Sequence, residues 1–282
     1  MSLSSRAVLV SKAERILTQA GTPQPRAEAE FLLAAAQGVP RTRIIAFADQ
    51  EVGAEEEEVF WKFVKQKEQG VPVAYITGEA EFGELVLHSD RRALVPRPET
   101  EELAQYCAGL FERGANPDIL DLCTGSGCIA LYLAAKFPRA RVVGADISQE
   151  ALYLAAENAR LTKLQDHIVW RQSDLFAQID GTFDLIVSNP PYIPSGDLPG
   201  LSAEVHHEPK QALDGGEDGL DIIRQIVAVA ADYLNSKGTL ALEIGAGQAD
   251  AVCSLFDGNR WDGGVKKDFA GIERFVFARL KN

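Results

Sequence analysis

Long apolar runs are missing from this sequence of 282 residues. No stretch approaches the roughly 20 apolar residues that a membrane-spanning helix needs, so we expect no membrane association. The N-terminal residues, MSLSSRAVLVSKAERIL, also lack the apolar core and cleavage site of a secretory signal, and their spacing predicts the first helix of a fold. Apolar residues nonetheless make up 46% of the chain, which is enough for a substantial buried core.

Cysteine is scarce and shows no metal-binding pattern. The four cysteines, Cys107, Cys123, Cys128 and Cys253, form no C-x-x-C pair and no Cys/His cluster with zinc spacing. We therefore predict reduced thiols in a cytoplasmic protein, and no metal site.

Positive charge is also in short supply. The chain has 28 Lys and Arg against 41 Asp and Glu, a net charge of −13. Residues 1–75 hold 9 Lys and Arg against 10 Asp and Glu, so a net charge of −12 falls on the remainder. Because binding to a phosphate backbone needs Lys and Arg contacts, this balance argues against a nucleic-acid substrate, although a local basic patch stays possible.

The first 75 residues show no strand-like alternation. Apolar residues recur at intervals of three and four in AEAEFLLAAAQG and EEEVFWKFVKQKEQG, and Gly38 and Gly70 are suited to end these helices. The pattern predicts a small N-terminal helical bundle over residues 1–75. Because it contains no catalytic constellation, we expect the bundle to dock a partner; a plain scaffold is the alternative.

Residues 76–100 have a different pattern. Apolar and polar residues alternate from Val73 onward around Gly78 and Gly83, which predicts a β-hairpin linker between two domains. The segment PRPET that follows predicts extended backbone leading into a helix that begins near Glu101.

Strands alternate with helices in residues 101–282. The predicted strands are DILDL, RVVGAD, HIVWRQSD, FDLIVSNP and GTLALEI, with a long helix from about Gly219 to Asn235 before the fifth. Such alternation predicts an α/β domain with a mostly parallel sheet. The last two strand-like runs, GVKKDF and RFVFARL, have no helix between them, so one strand near the C-terminus is expected to be antiparallel.

The first of these strands ends in the loop DLCTGSGCIA. Gly125, Gly127 and Ala130 match the pattern G-x-G-x-x-A between a strand and a helix, although an ordinary tight turn would look the same. Asp146 closes the next strand and is suited to hold a ribose hydroxyl pair. Together the two features predict a cofactor that carries a nucleoside.

Acidic residues distinguish between two such cofactors. Asp121 precedes the glycines, and a carboxylate pointing into the site would repel the pyrophosphate of a nicotinamide dinucleotide but suit the cationic S-adenosylmethionine. Asp174 ends the third strand, where it is suited to contact adenine with Leu175 and Phe176 as apolar cover; a helix cap is its alternative role. Three acidic strand ends in series favour S-adenosylmethionine.

The segment SNPPYIPS follows the fourth strand. Asn189 offers a side-chain carbonyl and Pro190 a backbone carbonyl, and the consecutive prolines Pro190 and Pro191 stiffen the segment. These acceptors match the two hydrogens of a planar NH2 group, and Tyr192 offers a flat face for stacking. We expect the NH2 group of Asn189 to hold the substrate carbonyl or the cofactor. The segment thus predicts methylation of a planar amino group, with Asn189, Pro190 and Tyr192 as catalytic residues.

The chain as a whole resembles the HemK/PrmC family, the N(5)-glutamine methyltransferases of peptide chain release factors. The resemblance is carried by PVAYITGEAEFGEL, LVPRPETEEL, DLCTGSGCIAL, SNPPYI, EPKQALDGGEDGL, LALEIGAGQ and KDFAGIERFVFAR. It implies a Rossmann-like S-adenosylmethionine-dependent methyltransferase over residues 101–282. The implied substrate is the glutamine of the Gly-Gly-Gln motif in class 1 release factors, which implies a role in translation termination.

The resemblance also implies site residues. Cofactor binding is implied for Cys123, Thr124, Gly125, Ser126 and Gly127, with Asp146 on the ribose and Leu175 near the adenine. Glutamine binding is implied for Asn189, Pro190, Pro191 and Tyr192. Cys123 departs from the family, which usually has glycine there.

Two other functions are compatible with parts of the sequence. Methylation of amino groups in nucleic acid would need a basic recognition region, and none is visible. A non-catalytic S-adenosylmethionine-dependent binding protein would have no need of Asn-Pro-Pro-Tyr beside the methyl group.

Overall fold

The computed structural model describes residues 4–281. The chain divides into two compact units. The first comprises the residues up to Glu79 together with Ser202–His207, and the second comprises Ala80–Leu201 and Glu208 onward. The helices of the first unit are α1 (Arg6–Gln19), α2 (Pro25–Gln37), α3 (Arg41–Ala46), α4 (Ala54–Glu68) and α5 (Val73–Thr77).

The helical unit encloses an apolar cluster of its own. Leu17 of α1, Leu32 of α2 and Phe60 of α4 are fully buried in it, because their spacing places the apolar residues of each helix on one face. Gly38 follows α2 with a left-handed φ of 61°, which suits a residue without a Cβ atom. The predicted N-terminal helical region is confirmed.

The hairpin expected from Val73 onward begins later. Val73–Thr77 form α5 instead, because Pro72 sits at the helix N-terminus and Ile76 enters the apolar cluster of the helical unit. The hairpin consists of β1 (Glu79–Phe82) and β2 (Leu85–His88). It packs in the second unit, where Phe82 makes an edge contact with the ring of Tyr132 at 6.0 Å between centroids.

A seven-stranded sheet forms the centre of the second unit. Its strands are β3 (Asp118–Leu122), β4 (Arg141–Asp146), β5 (Ile168–Gln172), β6 (Phe183–Ser188), β7 (Leu234–Glu243), β8 (Trp261–Lys267) and β9 (Glu273–Leu280). The helices are α6 (Pro98–Ala108), α7 (Cys128–Lys136), α8 (Gln149–Leu161), α9 (Asp221–Ala230) and α10 (Ala249–Cys253). No helix in the described part of the chain is long and apolar enough to cross a membrane.

The strand order is β5-β4-β3-β6-β7-β9-β8. All pairs from β5 to β7 are parallel, while β9 is antiparallel to both β7 and β8. The prediction of a Rossmann-like, mostly parallel sheet with one antiparallel strand near the C-terminus is therefore confirmed. The order reverses between β3 and β6, and such a reversal leaves a crevice at the carboxyl ends of the strands.

Two predicted helix bounds differ from the structure. Helix α6 begins at Pro98 rather than near Glu101, because proline fits the first turn of a helix, where no backbone donor is needed. The helix expected to reach Asn235 ends at Ala230. The chain turns there because Leu234 joins the sheet opposite Phe183, whose N–H donates to the Tyr233 carbonyl at 2.9 Å.

Candidate active site

A cavity of about 390 Å³ lies in the second unit at the carboxyl ends of β3, β4 and β6. Its wall includes residues 92–97, Thr100 of α6, the glycine loop after β3, residues 145–148, residues 173–175, and Asn189 with Pro191 after β6. Residues 209, 211, 212 and 214 contribute from the segment after β6. The cavity therefore occupies the crevice that the reversal of strand order creates.

The glycine loop has a left-handed backbone at three positions. Cys123 has a φ of 56°, Gly125 of 55° and Gly127 of 82°. A side chain is strained in this region by about 1–2 kcal/mol, which gives a physical reason for the family's usual glycine at the position of Cys123. Burial raises the pKa of the Cys123 thiol. Cys123, Thr124, Gly125 and Ser126 all line the cavity, as a cofactor-binding role requires.

Gly127 is needed for packing and does not line the cavity. A Cβ atom there would lie 2.8 Å from the Trp170 ring and 3.1 Å from the Ala155 methyl group. Glycine at this position therefore lets α7 begin close against β5 and α8. The cofactor contact implied for Gly127 by the resemblance stays a prediction that the cavity lining does not support.

Asp121 lies beneath the loop rather than in the cavity, which corrects the expectation that its carboxylate points into the site. It is fully buried, and its Oδ2 accepts hydrogen bonds from the Thr124 hydroxyl at 2.5 Å and the Ala130 N–H at 3.1 Å. Its Oδ1 has no hydrogen-bond partner among the described residues. Burial raises the pKa of Asp121 to about 7. The carboxylate holds the loop in shape from below.

Asp146 lines the cavity at the end of β4. Its Oδ2 accepts from the Gly125 N–H at 2.9 Å and its Oδ1 from the Ser148 N–H at 2.8 Å. Burial raises the pKa of this carboxyl. Each carboxylate oxygen has room for a second donor, so the pair is suited to two neighbouring hydroxyl groups of a ribose.

The residues after β5 supply a mixed polar and apolar wall. Asp174 is exposed and Leu175 is half-buried, and both line the cavity. Phe176 was expected as apolar cover but is buried in the core, where it stacks on Tyr233 at 4.6 Å between ring centroids. The combination of carboxylate acceptors at Asp146 and Asp174 with apolar atoms at Leu175 fits a nucleoside-bearing cofactor.

Asn189 is fixed by a chain of hydrogen bonds that the sequence did not predict. Its Nδ2 donates to the Thr100 hydroxyl at 2.9 Å, and that hydroxyl donates to Glu243 Oε2 at 2.7 Å. The Tyr192 hydroxyl donates to Glu243 Oε1 at 3.3 Å. The NH2 group of Asn189 was expected to hold the substrate carbonyl or the cofactor; one of its hydrogens is instead engaged by Thr100.

Glu243 is the acceptor at the end of this chain. It is 1% exposed, and burial raises its pKa to about 7, while hydrogen bonds from Thr100 and Tyr192 act in the opposite direction. Burial and the nearby Glu243 raise the pKa of the Tyr192 phenol. A buried carboxylate that accepts two hydroxyl hydrogens holds both ends of the segment from Asn189 to Tyr192.

The cavity wall includes Asn189 and Pro191 but neither Pro190 nor Tyr192. Pro190 is buried, and Tyr192 packs against the main apolar core of the second unit. The Tyr192 carbonyl accepts from Gln248 Nε2 at 2.9 Å, and a Cβ atom on Gly219 would lie only 2.3 Å from that carbonyl oxygen. The segment ALDGGEDGL thus packs closely against the backbone at Tyr192 through Gly219. The catalytic roles expected of Pro190 and Tyr192 stay predictions.

Thr100 and Glu243 are functional candidates that the sequence analysis did not single out. They lie in PRPET and in LALEI, two segments that the sequence analysis interpreted as an entry into a helix and a strand and noted for their resemblance to a family. The glutamate at the end of the apolar strand was a signal that could have indicated Glu243, because a buried carboxylate requires hydrogen-bond donors nearby.

Comparison with known proteins gives matches along most of the chain. Residues 9–78 match the family described as PrmC N-terminal domain, and residues 107–216 match the family described as Methyltransferase small domain. The release factor glutamine methyltransferase of Deinococcus radiodurans is 42% identical over 271 residues, covering 96% of this chain and 97% of that protein. The release factor glutamine methyltransferase of Moorella thermoacetica is 40% identical over 272 residues, covering 95% and 96%.

Solved structures show the same fold at low sequence identity. A methyltransferase from Pyrococcus furiosus covers 71% of this chain and 90% of its own, with a TM-score of 0.53 and 18% identity. The ribosomal protein L11 methylase of Lactobacillus delbrueckii subsp. bulgaricus covers 67% of this chain and 82% of its own, with a TM-score of 0.51 and 22% identity.

Proposed function

Because this chain belongs to the family of release factor glutamine methyltransferases, we propose that it methylates the glutamine of the Gly-Gly-Gln motif in class 1 peptide chain release factors. The methyl group would come from S-adenosylmethionine and go to the side-chain amide nitrogen. We place this reaction in the cytoplasm, where its protein substrate functions in translation termination.

The observation that carries the proposal is the position of Asn189. It lines the cavity that also contains Asp146 and the glycine loop, so a planar amide held by Asn189 would lie beside a cofactor bound there. One hydrogen of its NH2 group is donated to Thr100, and its carbonyl oxygen is the acceptor that we assign to the substrate. An acceptor is what the NH2 group of a glutamine needs.

S-adenosylmethionine, when bound, would supply an electrophilic methyl group on a sulfonium. Asp146 would hold its ribose, the loop from Cys123 to Ser126 would hold its amino-acid end, and Asp174 and Leu175 would flank the adenine. The residues at the end of β6 would then bind the substrate amide.

The protein's task is to hold a poor nucleophile in line, since the lone pair of an amide nitrogen is delocalised. Holding the reacting atoms at roughly 3 to 3.5 Å from each other removes much of the activation barrier to methyl transfer. As the nitrogen attacks, positive charge develops on it, and the Asn189 carbonyl stabilises that charge through the N–H it accepts. The methylated cationic amide is acidic enough to lose its proton without a dedicated base.

The helical unit is proposed to dock the release factor without contributing to the chemistry. It presents several exposed apolar side chains on its surface, among them Phe31, Ile45 and Phe47, which are 45%, 55% and 58% exposed. Exposed aromatic residues of this kind are common at protein–protein contacts.

A methyl-transfer assay with purified release factor tests the proposal. Radiolabelled methyl should appear on the wild-type release factor and not on a variant whose Gly-Gly-Gln glutamine is changed. DNA and RNA serve as rival substrates, and preferential labelling of either would refute the proposed substrate.

A further inference from the structure

Four side chains from three separate parts of the second unit form one hydrogen-bonded chain. Asn189 donates to Thr100 of α6, and Thr100 donates to Glu243 at the end of β7. Tyr192 donates to the other oxygen of Glu243. Thr100 is 2% exposed and Glu243 1% exposed, so water does not compete for these contacts.

We propose that Thr100 and Glu243 are positioning residues that set which way the Asn189 amide faces, so that its carbonyl oxygen and not its NH2 group meets the substrate nitrogen. The inference rests on the proposed function, since it assigns the acceptor for the glutamine NH2 group.

The direction follows from counting hydrogens. The Thr100 hydroxyl has one hydrogen, and when Glu243 is ionised its Oε2 accepts that hydrogen at 2.7 Å. The hydroxyl oxygen can then only accept from Asn189, which requires the NH2 group on that side. If the amide were turned over while Glu243 is ionised, Thr100 would have to donate to Asn189, and a buried carboxylate oxygen would lose its hydrogen bond.

Tyr192 gives the carboxylate a second hold on the same segment. Its hydroxyl reaches Glu243 Oε1 at 3.3 Å, three residues after Asn189. Glu243 therefore anchors the segment at both ends. Asn189 lines the cavity, and the buried Glu243 holds it through Thr100.

Thr100→Val is the sharpest test, because it removes the hydroxyl while keeping the shape of the side chain. We expect a fall in kcat of about 10- to 100-fold, the effect of a misplaced reacting group. The calorimetric Kd for S-adenosylmethionine should stay within about twofold. Thr100→Ser keeps the hydroxyl and should stay within about threefold of wild-type kcat. Thr162→Val is the matched control, since it removes a hydroxyl bonded to the Asn158 carbonyl at 2.8 Å, outside the cavity.

The double variant with Asn189→Ala shows whether Thr100 acts through Asn189. Once the amide is absent, Thr100→Val should lower kcat by no more than about threefold, because residues that act as a unit are not additive. An equal further loss in that background would overturn the proposal, and so would a Thr100→Val enzyme with wild-type kcat. Absence of methyl transfer by the wild-type enzyme would instead refute the proposed function, on which this inference depends.

Discussion

The hydrogen bonds that join Asn189, Thr100 and Glu243 predict how the methyl-transfer activity of Asn189→Asp depends on pH. The substitution replaces the NH2 group facing Thr100 with an oxygen, so two carboxylates compete for the single hydroxyl hydrogen of Thr100. The position of that oxygen follows from the wild-type geometry, in which Thr100 Oγ1 lies 2.9 Å from Asn189 Nδ2 and 2.7 Å from Glu243 Oε2. The two carboxylate oxygens would thus be no more than about 5.6 Å apart.

Repulsion at this distance is large enough to retain a proton. Two unit charges about 5.6 Å apart repel by about 3 kcal/mol at an effective dielectric constant of about 20, which corresponds to about 2 pKa units. Glu243 alone already has its pKa raised to about 7 by burial; the hydrogen bond from Thr100 lowers this pKa, Glu99 raises it, and the hydrogen bond from Tyr192 and the charge of Arg274 lower it. The pair should therefore share one proton up to about pH 9.

The shared proton restores a donor toward Thr100 and leaves an acceptor facing the cavity. The variant should be partly active while the proton is present and lose activity as the pH rises through the pKa of the pair. Asn189→Ala has no carboxylate and serves as the reference, because it shares every other pH effect on substrate and cofactor.

Initial rates of radiolabelled methyl transfer to release factor provide the measurement. Between about pH 7 and about pH 9.5, the rate of Asn189→Asp divided by that of Asn189→Ala should fall by about threefold or more. A ratio that stays level or rises with pH would show that Asn189 is not coupled to Glu243 through Thr100.

Three further predictions concern the cofactor site, the glycine loop and the helical unit. Asp146→Ala should weaken S-adenosylmethionine binding by about tenfold or more in calorimetry, since hydrogen bonds to a charged group contribute about 1.5 to 3 kcal/mol; unchanged affinity, or affinity for NAD, would mean that the loop is misinterpreted. Cys123→Gly should unfold about 2–4 °C above Cys123→Ala in a thermal melt, because only glycine adopts a φ of 56° without strain; equal melting temperatures would contradict that strain. Phe47→Ser should lower kcat/KM for whole release factor but not for a short Gly-Gly-Gln peptide, whereas Val169→Ser, an exposed control in β5, should affect neither; equal losses on both substrates would argue against docking.

Local signals predicted the elements around the site. The strand DILDL, the glycine loop and the next strand RVVGAD follow one another within about thirty residues, and each carries its own pattern of burial or turn chemistry. Asp146 could be placed at the cavity from sequence because it closes a strand beside that loop. The cofactor loop could thus be recognised from one short segment of sequence.

The hydrogen-bonded chain could not be predicted in this way. Asn189 and Thr100 are 89 residues apart, and Thr100 and Glu243 are 143 apart. Nothing in either segment indicates that the threonine hydroxyl will meet both of the other side chains, since this contact exists only after α6 and β7 have packed. The sequence pattern located the segment that follows β6 but not Thr100 and Glu243, which hold that segment in place.

How deep each side chain lies along its strand could not be predicted either. Asp121 and Asp146 both end or nearly end a strand, yet one is buried beneath the loop and the other faces the cavity. Asp121 pairs with Gly144 in the parallel register of β3 and β4, so Asp121 and Asp146 lie on the same face of the sheet, and Asp146 is two positions closer to the carboxyl ends where the cavity lies. Proximity to a motif therefore predicts that a residue is near the site, and only the packed structure separates the residues of the wall from those behind it.

The residues behind the wall share a design. Asp121 beneath the glycine loop and Glu243 beneath the Asn189 segment each accept a hydrogen bond from a threonine hydroxyl, Thr124 and Thr100. Burial raises both pKa values to about 7, so each charged carboxylate is less favourable in the folded protein than in the unfolded chain. The resulting loss of stability begins as the pH rises above the unfolded pKa values near 4, and it is complete above about 7. Apolar residues of similar volume would make a more stable core. What a buried carboxylate supplies instead is a fixed direction for every donor around it, and the two loops that border the cavity are where direction matters for holding a substrate and a cofactor.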